Sequence, residues 1–313
     1  MNRTADKYKM IFTTGLPPWI FARGGMHARD KLLGFFEDFF GNNGPETGSD
    51  VTKGRYAMYT KHNLSITEMA KLELSTSFGL FPNIIPSSFW TLYEIFSRPA
   101  LLEELRAEVH DAVIIKKDDT TGKAEFSLSI SELRNCKLLI STFQETQRIR
   151  SRAAGIRQVM SDTTIEASGQ SFLLKKGSFV QIPSEAIHND PALWGANSRT
   201  FDPYRFMKAE SGEGGSKIPR GSFIPFGYAP SVCPGRQFAA TEIMTLVAMT
   251  VLRYDLVPVS GHWTPLASDL KEPVTLCPPK GDIKVNFKSR DEWRGTWNVE
   301  LGNAKTTFKL ASG

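Results

Sequence analysis

The chain has 313 residues, enough for one large domain or two small ones, and it contains 41% hydrophobic and 23% charged residues. These proportions are those of a globular protein and argue against a wholly disordered chain. The formal net charge is +5, and the lysines and arginines are scattered along the sequence. This distribution argues against nucleic-acid binding and is typical of a solvated basic surface, although it allows a docking face for an acidic protein.

The three cysteines, Cys136, Cys233 and Cys277, have no CxxC spacing. The sequence therefore predicts neither a disulfide scaffold nor a zinc or dithiol site, and it favours a reducing compartment. No stretch approaches the roughly 18 apolar residues of a membrane-spanning helix. The polar N-terminus also lacks a signal-peptide core, so we expect no membrane-spanning segment or anchor in this chain.

The first half of the sequence predicts helices. Ser65 and Glu68 form a capping box, which indicates a helix that runs from there toward Ile95. Pro82 and Pro86 lie inside this helix, and each removes a backbone donor and crowds the preceding turn. We therefore expect the helix to kink at both prolines.

Other elements are predicted from their caps and their periodicity. A helix begins at Ser97–Pro99, another is capped by Ser129 and continues to about Arg150, and a last long helix runs from near Pro234 to about Leu252. Residues 183–222 are expected to be irregular. Short β-prone runs separated by turns indicate a small sheet, with strands at Ile156–Met160, Thr163–Glu166, Ser171–Leu174, Ser178–Ile182, Val274–Leu276 and Ile283–Phe287.

The most specific segment runs from Phe226 to Arg236 and contains Cys233. A Gly/Pro-rich loop brings this cysteine to a helix start, where unpaired N–H groups and the helix dipole stabilise a thiolate. A thiolate ligand of haem iron favours O–O cleavage. Gly235 would let the backbone pass close to a flat macrocycle, and Phe226 could cover the sulfur. A buried structural cysteine is the alternative, but it leaves the surrounding Phe-Gly and Pro-Gly-Arg unexplained.

This segment resembles the haem-binding loop of cytochromes P450, where a Phe stands seven positions before the Cys and a Gly two positions after it. Two positions depart from the family. Where the family usually has Gly four positions before the Cys, this chain has Ala229, and we expect it to tighten the loop, because the conformation there suits glycine best. Where the family often has a basic residue two positions before the Cys, this chain has Ser231. The resemblance implies haem b as the cofactor, Cys233 as the axial ligand of its iron, and three further contacts: Phe226, Gly235 and Arg236.

An acid and a base three residues apart, Glu145 and Arg148, lie on one helix face. At this spacing a surface ion pair is the usual outcome. However, the segment Phe201–Phe206 follows and resembles the family's Pro-x-Arg-Phe element, which supplies Arg205. The resemblance implies that the three charged residues form a buried network that supports the Cys233 loop, and such burial requires every charge to be paired and hydrogen-bonded.

Two further residues lie between these motifs and near them. We interpret His188 as a packed, hydrogen-bonded residue rather than a metal ligand. Arg157 lies twelve positions beyond Glu145, where the family usually keeps an arginine that binds a haem propionate. A guanidinium suits that role because it holds a carboxylate bidentately, and a solvent-facing arginine is the alternative.

The helix with the two prolines lacks the acid–Thr pair that family members commonly place over the iron. Asn83, followed by Pro86 and Phe89-Trp90, resembles instead the branch that contains cholesterol 7α-hydroxylase and prostacyclin synthase and related fungal enzymes. Asn83 is the candidate oxygen or proton-relay position, because its amide can order a water, or it merely caps a broken helix. The residues expected to line a substrate pocket are Phe81, Ile84, Ala153, Ala154 and Ile156.

The resemblance covers roughly residues 60–290 and predicts a fold that is mainly α with a small β-sheet, the cytochrome P450 fold in its C-terminal two-thirds. We expect residues 1–290 to form a truncated domain of this family and residues 291–313 to form a tail of unknown role. A haem left more open to water would be held less well, because water exclusion is part of such a site.

The function implied by the resemblance is a haem-thiolate monooxygenase. It would oxidise a hydrophobic small molecule, such as a sterol-, terpenoid- or other secondary-metabolite-like compound, with dioxygen and with electrons that NADPH supplies through a flavoprotein reductase. Two alternatives stay open: a peroxide isomerase that needs no reductase, and a non-catalytic truncated remnant. Eukaryotic relatives imply the endoplasmic reticulum membrane surface, whereas a chain without an anchor would be cytoplasmic.

Overall fold

The computed structural model describes residues 23–117, 124–211, 218–219, 221–270, 275–302 and 307–311. The chain divides into two compact units, Met1–Pro82 and Asn83–Gly313. The described residues are mainly helical, with short strands grouped in small sheets. The fold class predicted from the sequence is therefore confirmed. Within these ranges no helix is long and apolar enough to cross a membrane.

The first unit is helical. Its elements are α1 (Arg23–Gly41), α2 (Gly44–Thr47), α3 (Asp50–Lys61) and the first part of α4 (Ile66–Phe96). Phe40, Tyr59 and Met69 form its buried cluster. The predicted capping box starts α4, since the Ser65 N–H donates to Glu68 Oε2 at 2.8 Å and the Glu68 N–H donates to Ser65 Oγ at 3.3 Å.

The long helix α4 continues through Pro82 and Pro86, so neither proline ends it. Serine and threonine side chains within the helix donate to carbonyls one turn earlier: Ser77 Oγ to Glu73 and Thr91 Oγ1 to Ser87. The boundary between the two units falls inside this helix, after Pro82.

The second unit adds seven helices among the described residues. They are α5 (Pro99–His110), α6 (Ile130–Leu133), α7 (Lys137–Arg150), α8 (Ser184–His188), α9 (Pro191–Trp194), α10 (Arg205–Ser211) and α11 (Arg236–Arg253). Its main hydrophobic core is formed chiefly by α5, α7 and α11, each of which turns an apolar face inward. This packing fixes the positions of α7, which carries Glu145 and Arg148, and of α11, which follows Cys233.

In the part of the chain that the structure describes, four small sheets accompany these helices. The strands are β1 (Val113–Lys117), β2 (Ala124–Ser129), β3 (Ala154–Gln158), β4 (Thr163–Ala167), β5 (Gln170–Leu174), β6 (Phe179–Pro183), β7 (Tyr254–Pro258), β8 (Val285–Ser289) and β9 (Thr296–Glu300). The pairs β3–β6, β4–β5 and β7–β8 are antiparallel. A third strand is added to the antiparallel pair β1–β2, because β9 lies parallel to β2.

Several predictions of local structure were wrong or incomplete. The single helix expected from Ser129 to Arg150 is two helices, because Ser129 caps only α6 and the Glu108 carboxylate caps α7 by accepting from the N–H groups of Leu138 and Leu139 at 2.8 and 2.9 Å. The stretch expected to be irregular at 183–222 contains α8, α9 and α10. The strands β1, β2 and β9 were not predicted. The strand expected at Val274–Leu276 lies partly outside the described residues, and Leu276 forms an isolated bridge with Ser151.

Residues 291–313, for which the sequence suggests no role, contribute to the core of the second unit where they are described. Strand β9 pairs with β2 along its whole length. Trp293 and Phe308 are 7% and 3% exposed and belong to the main hydrophobic cluster. The described part of this segment therefore packs with the elements that carry the motifs singled out above.

Candidate functional site

The Cys233 loop, defined here as residues 226–235, is closed by a backbone hydrogen bond. The Cys233 N–H donates to the Phe226 carbonyl at 2.8 Å. Gly227 has φ +77°, and a Cβ at this position would lie 3.0 Å from the Ser231 carbonyl oxygen. Glycine is required there because of this left-handed conformation and because a Cβ would crowd that oxygen. Sequence reasoning missed this role of Gly227, although a glycine directly after Phe226 was the available signal.

Cys233 is the accessible cysteine of the chain. All three cysteines lie in the described residues, and Cys136 and Cys277 are buried whereas Cys233 is exposed. Burial raises the pKa of the Cys136 thiol to about 12, so this group stays protonated. The alternative of a buried structural cysteine at 233 is therefore excluded by its exposure.

The loop presents Cys233 at the start of α11. Gly235 caps that helix, and a Cβ added to it would lie 3.9 Å from Cys233 Sγ, so the glycine lies beside the sulfur. Arg236 Nη1 donates to the Cys233 carbonyl at 3.1 Å. Phe226 is partly buried and packs against the main core.

Ala229 does not adopt a left-handed conformation. Among the described residues, the non-glycine positions with positive φ are Asn43, Asn63 and Ser168. Ala229 is exposed and is joined to Pro230 by a cis peptide bond. The left-handed position of this loop is Gly227.

A buried charged network lies on α7. The side chains of Glu145 and Arg148 are 0% exposed, and that of Arg205 is 10% exposed. Arg148 holds the Glu145 carboxylate bidentately, through Nε and Nη2 at 2.8 Å each. Arg205 Nε donates to the same carboxylate at 3.1 Å, and so does the Asp202 N–H at 3.0 Å. This burial excludes the alternative of a surface ion pair.

One carboxylate between two guanidinium groups leaves a net charge of +1 in a dry environment. Backbone carbonyls compensate it, since they turn the negative ends of their dipoles toward the remaining N–H groups. Arg148 donates to the carbonyls of His188 and Ser198, and Arg205 to those of Trp194, Asn197 and Thr200. The network thus holds the chain between residues 188 and 205 in place.

His188 connects this network to Ile224, which lies two residues before the Cys233 loop. It is fully buried, and its Nε2 accepts a hydrogen bond from the Ile224 N–H at 3.0 Å. Burial, reinforced by the positive charge of Arg148, lowers the pKa of His188 to about 4. The residue is therefore packed and hydrogen-bonded as the sequence suggested, and its link to Ile224 was not foreseen.

Arg157 lies on β3, on the face of the β3–β6 pair that meets the Cys233 loop. Its guanidinium lies 5.1 Å from the centroid of the Tyr228 ring, and a Cβ on the neighbouring Gly155 would be 3.0 Å from that ring. Arg157 Nη1 also donates to the carbonyl of Ile156 at 2.9 Å. The arginine is half-buried, so it lies beside the loop rather than fully in solvent.

The residues expected to line a substrate pocket fall in several environments. Ala154 and Ile156 lie on the exposed face of the β3–β6 pair, opposite to Arg157, and Ile156 is 58% exposed. Ala153 precedes β3, and its carbonyl accepts from the Ser184 N–H at 2.8 Å. Ile84 packs against the main core of the second unit. Phe81 belongs to the first unit and is 62% exposed.

The candidate relay residue, Asn83, is partly buried in the middle of α4 and is the first residue of the second unit. The helix continues past it for more than three turns. Asn83 therefore does not cap a broken helix, which removes the alternative reading of this residue.

Comparison with known proteins identifies these motifs. The family profile described as Cytochrome P450 matches residues 56–285. The cytochrome P450 monooxygenase nodJ of Hypoxylon pulicicidum is 33% identical over 99% of this chain and 60% of its own length. The cytochrome P450 monooxygenase poxD of Penicillium oxalicum is 29% identical over 82% of this chain and 51% of its own length.

A mammalian relative is the 25-hydroxycholesterol 7-alpha-hydroxylase of Rattus norvegicus, which is 28% identical over 79% of this chain and 60% of its own length. The predicted likeness to the branch of cholesterol 7α-hydroxylase and related fungal enzymes is thereby confirmed. The chain spans between half and 60% of the length of these curated relatives. Because the family profile matches most of the chain and nodJ is 33% identical over 99% of it, the chain belongs to the cytochrome P450 family.

Proposed function

We propose that this chain forms the haem-binding part of a monooxygenase that oxidises a hydrophobic small molecule. The observation that carries the proposal is the exposed Cys233, held at the start of α11 by a loop that is closed on itself. A helix start stabilises a thiolate through its free N–H groups and its dipole. The buried network on α7 supports the loop through His188, whose carbonyl accepts from Arg148 and whose ring accepts from the Ile224 N–H.

The cofactor that the family implies is haem, and the residues present fit it. Cys233 would supply the axial sulfur, and Gly235 leaves room beside that sulfur. Arg157, beside the loop on β3, would hold a propionate, because its planar fork suits a carboxylate. When bound through a thiolate, haem supplies the chemistry of dioxygen activation.

The substrate class rests on the likeness to a relative whose name states its substrate. The 25-hydroxycholesterol 7-alpha-hydroxylase of Rattus norvegicus, 28% identical to this chain, is named for a sterol. A sterol-, terpenoid- or other secondary-metabolite-like compound is therefore the class that we propose. Ile156 and Phe179, which are 58% and 68% exposed, lie on the face of the β3–β6 pair opposite to Arg157 and do not carry this proposal.

Electrons would come from NADPH through a flavoprotein reductase, for which the net charge of +5 suits an acidic partner. By likeness to the mammalian relatives, the protein would work at the surface of the endoplasmic reticulum membrane. We keep Asn83 as the proposed oxygen or proton-relay position, because an amide both donates and accepts and can thus order a water.

The proposal is tested by replacing the ligand cysteine. We expect the wild-type chain and a Cys277→Ala control to bind added haem with the absorption of a thiolate-ligated iron, and Cys233→Ala to lose that absorption. Equal haem retention with the same spectrum in Cys233→Ala would overturn the assignment of the ligand.

Turnover separates the function from its alternatives. Hydroxylation of a hydrophobic probe that depends on NADPH and a reductase supports a monooxygenase. Conversion of a hydroperoxide without any reductase would point to a peroxide isomerase instead. A thiolate-ligated haem with neither activity would point to a non-catalytic remnant.

A further inference from the structure

His188 is bound at two ends. It is the last residue of α8, and its backbone carbonyl accepts a hydrogen bond from Arg148 Nη1. Its ring Nε2 accepts from the Ile224 N–H at 3.0 Å. One residue therefore joins the buried network on α7 to the segment that leads into the Cys233 loop, across 36 residues of sequence.

Two backbone hydrogen bonds extend this connection from Ile224 into the Cys233 loop. The carbonyl of Ile224 accepts from the Gly227 N–H at 3.1 Å, and the carbonyl of Phe226 accepts from the Cys233 N–H at 2.8 Å. Gly227 is the residue whose left-handed conformation turns the loop. The position of Ile224 thus determines where the turn that carries Cys233 begins.

The ring of His188 is held in one state and one orientation. An acceptor at Nε2 requires a neutral imidazole with its proton on Nδ1. The ring packs against Trp194 and Phe223, with centroids 6.4 and 5.9 Å away. The charged groups that face it come from α7: Arg148 directly, and Glu145 on the far side of that guanidinium. Burial, and secondly the positive charge of Arg148, keep the imidazole neutral.

Packing alone does not account for a histidine here. Its Nδ1 is buried and has no hydrogen-bond partner among the described atoms. A buried polar atom without a partner is unfavourable, and an apolar side chain would avoid it. The acceptor at Nε2 is what an apolar residue could not supply, because the Ile224 N–H would then be left unpaired.

We propose that His188 is a positioning residue for the Cys233 loop: it holds Ile224 at the entry of the loop and so sets where the sulfur is presented. The inference rests on the proposed haem-thiolate function. It adds a residue that does not touch the cofactor but acts through the backbone that carries the ligand.

The test compares His188→Leu, which removes the acceptor, with His188→Gln, which keeps one at a similar reach. Phe206→Leu is the matched control, because its ring packs on Phe223 at 4.8 Å in the same cluster but has no part in the hydrogen bond. The readouts are amide hydrogen exchange at Ile224 and Gly227, and the fraction of bound haem with the thiolate-type absorption.

In His188→Leu we expect the exchange of the Ile224 amide to accelerate by about tenfold, as loss of one buried hydrogen bond predicts, and the thiolate-ligated fraction to fall. His188→Gln should restore both. Phe206→Leu should lower the melting temperature but leave both near wild type. If His188→Leu and Phe206→Leu give the same exchange and the same thiolate fraction, His188 only packs and the inference is wrong.

Two provisions keep the test decisive. If His188→Leu does not fold, His188→Asn replaces it, because its shorter side chain cannot reach the Ile224 N–H; exchange as slow as in His188→Gln would then overturn the inference. If the wild-type chain binds no haem through a thiolate, the proposed function fails, while the exchange of Ile224 in the unloaded protein still decides the role of His188.

Discussion

Replacing Glu145 with Gln removes the one negative charge between two buried guanidinium groups. Glu145 and Arg148 are 0% exposed, so water cannot screen the loss, and Arg205 is only 10% exposed. The net charge of the network would rise from +1 to +2. The new amide nitrogen would also face guanidinium N–H groups, donor against donor. Breaking a buried pair in this way costs about 3–5 kcal/mol.

This loss is large enough to measure by thermal or urea unfolding. For a unit of this size, each kcal/mol corresponds to about 2–4 °C in the melting temperature, so we expect a decrease of about 6–20 °C. The matched control is Glu185→Gln, which breaks the ion pair of Glu185 with Arg152 at 2.6 Å, where the side chains are 46% and 32% exposed. A partly exposed pair contributes at most about 1 kcal/mol.

The two variants are compared by the loss in the free energy of unfolding, which tests whether the Glu145 carboxylate balances the buried charge. If Glu145→Gln destabilises the protein by no more than Glu185→Gln does, the carbonyl groups around Arg148 and Arg205 carry the charge without help from the carboxylate. The description of the network as a charge-balanced support would then be wrong.

Three other predictions concern stability. The folded-state pKa of His188, about 4, lies below its ordinary value of 6.5, so the unfolded chain binds the proton first as the pH falls. Urea unfolding should show a loss of up to about 3 kcal/mol between pH 6.5 and about 4, and His188→Gln should lack this component. Gly295→Ala should cost about 2 kcal/mol or more in thermal unfolding, because its Cβ would overlap the Ala124 carbonyl oxygen; an unchanged melting temperature would contradict the pairing of β9 with β2. Gly54→Ala has open space within a helix and should stabilise the first unit by about 0.5–1 kcal/mol, whereas a lower melting temperature would contradict this.

The sequence alone determined features whose cause is local. The capping box at Ser65 needs only a hydroxyl and a carboxylate three residues apart, and that spacing brings them together in any helix start. The segment from Phe226 to Arg236 also identifies the loop and its cysteine locally, because its turn residues and the helix start that follows are adjacent in the sequence. Glu145 and Arg148 are placed on one face of α7 by the helical repeat.

Only the tertiary structure decided which of these groups are buried and what compensates them. The carbonyls of residues 188–205 that satisfy Arg148 and Arg205 belong to a stretch without a periodic pattern, in which α9 alone has a local start signal, the Asp190 cap with Pro191. Strand β9 was not predicted, because a parallel partner far away in the chain leaves no local signature in either strand. The hydrogen bond from the Ile224 N–H to His188 also depends on the tertiary structure. No sequence pattern around either residue predicts it, because the two lie 36 residues apart and only folding brings the buried acceptor to this backbone N–H.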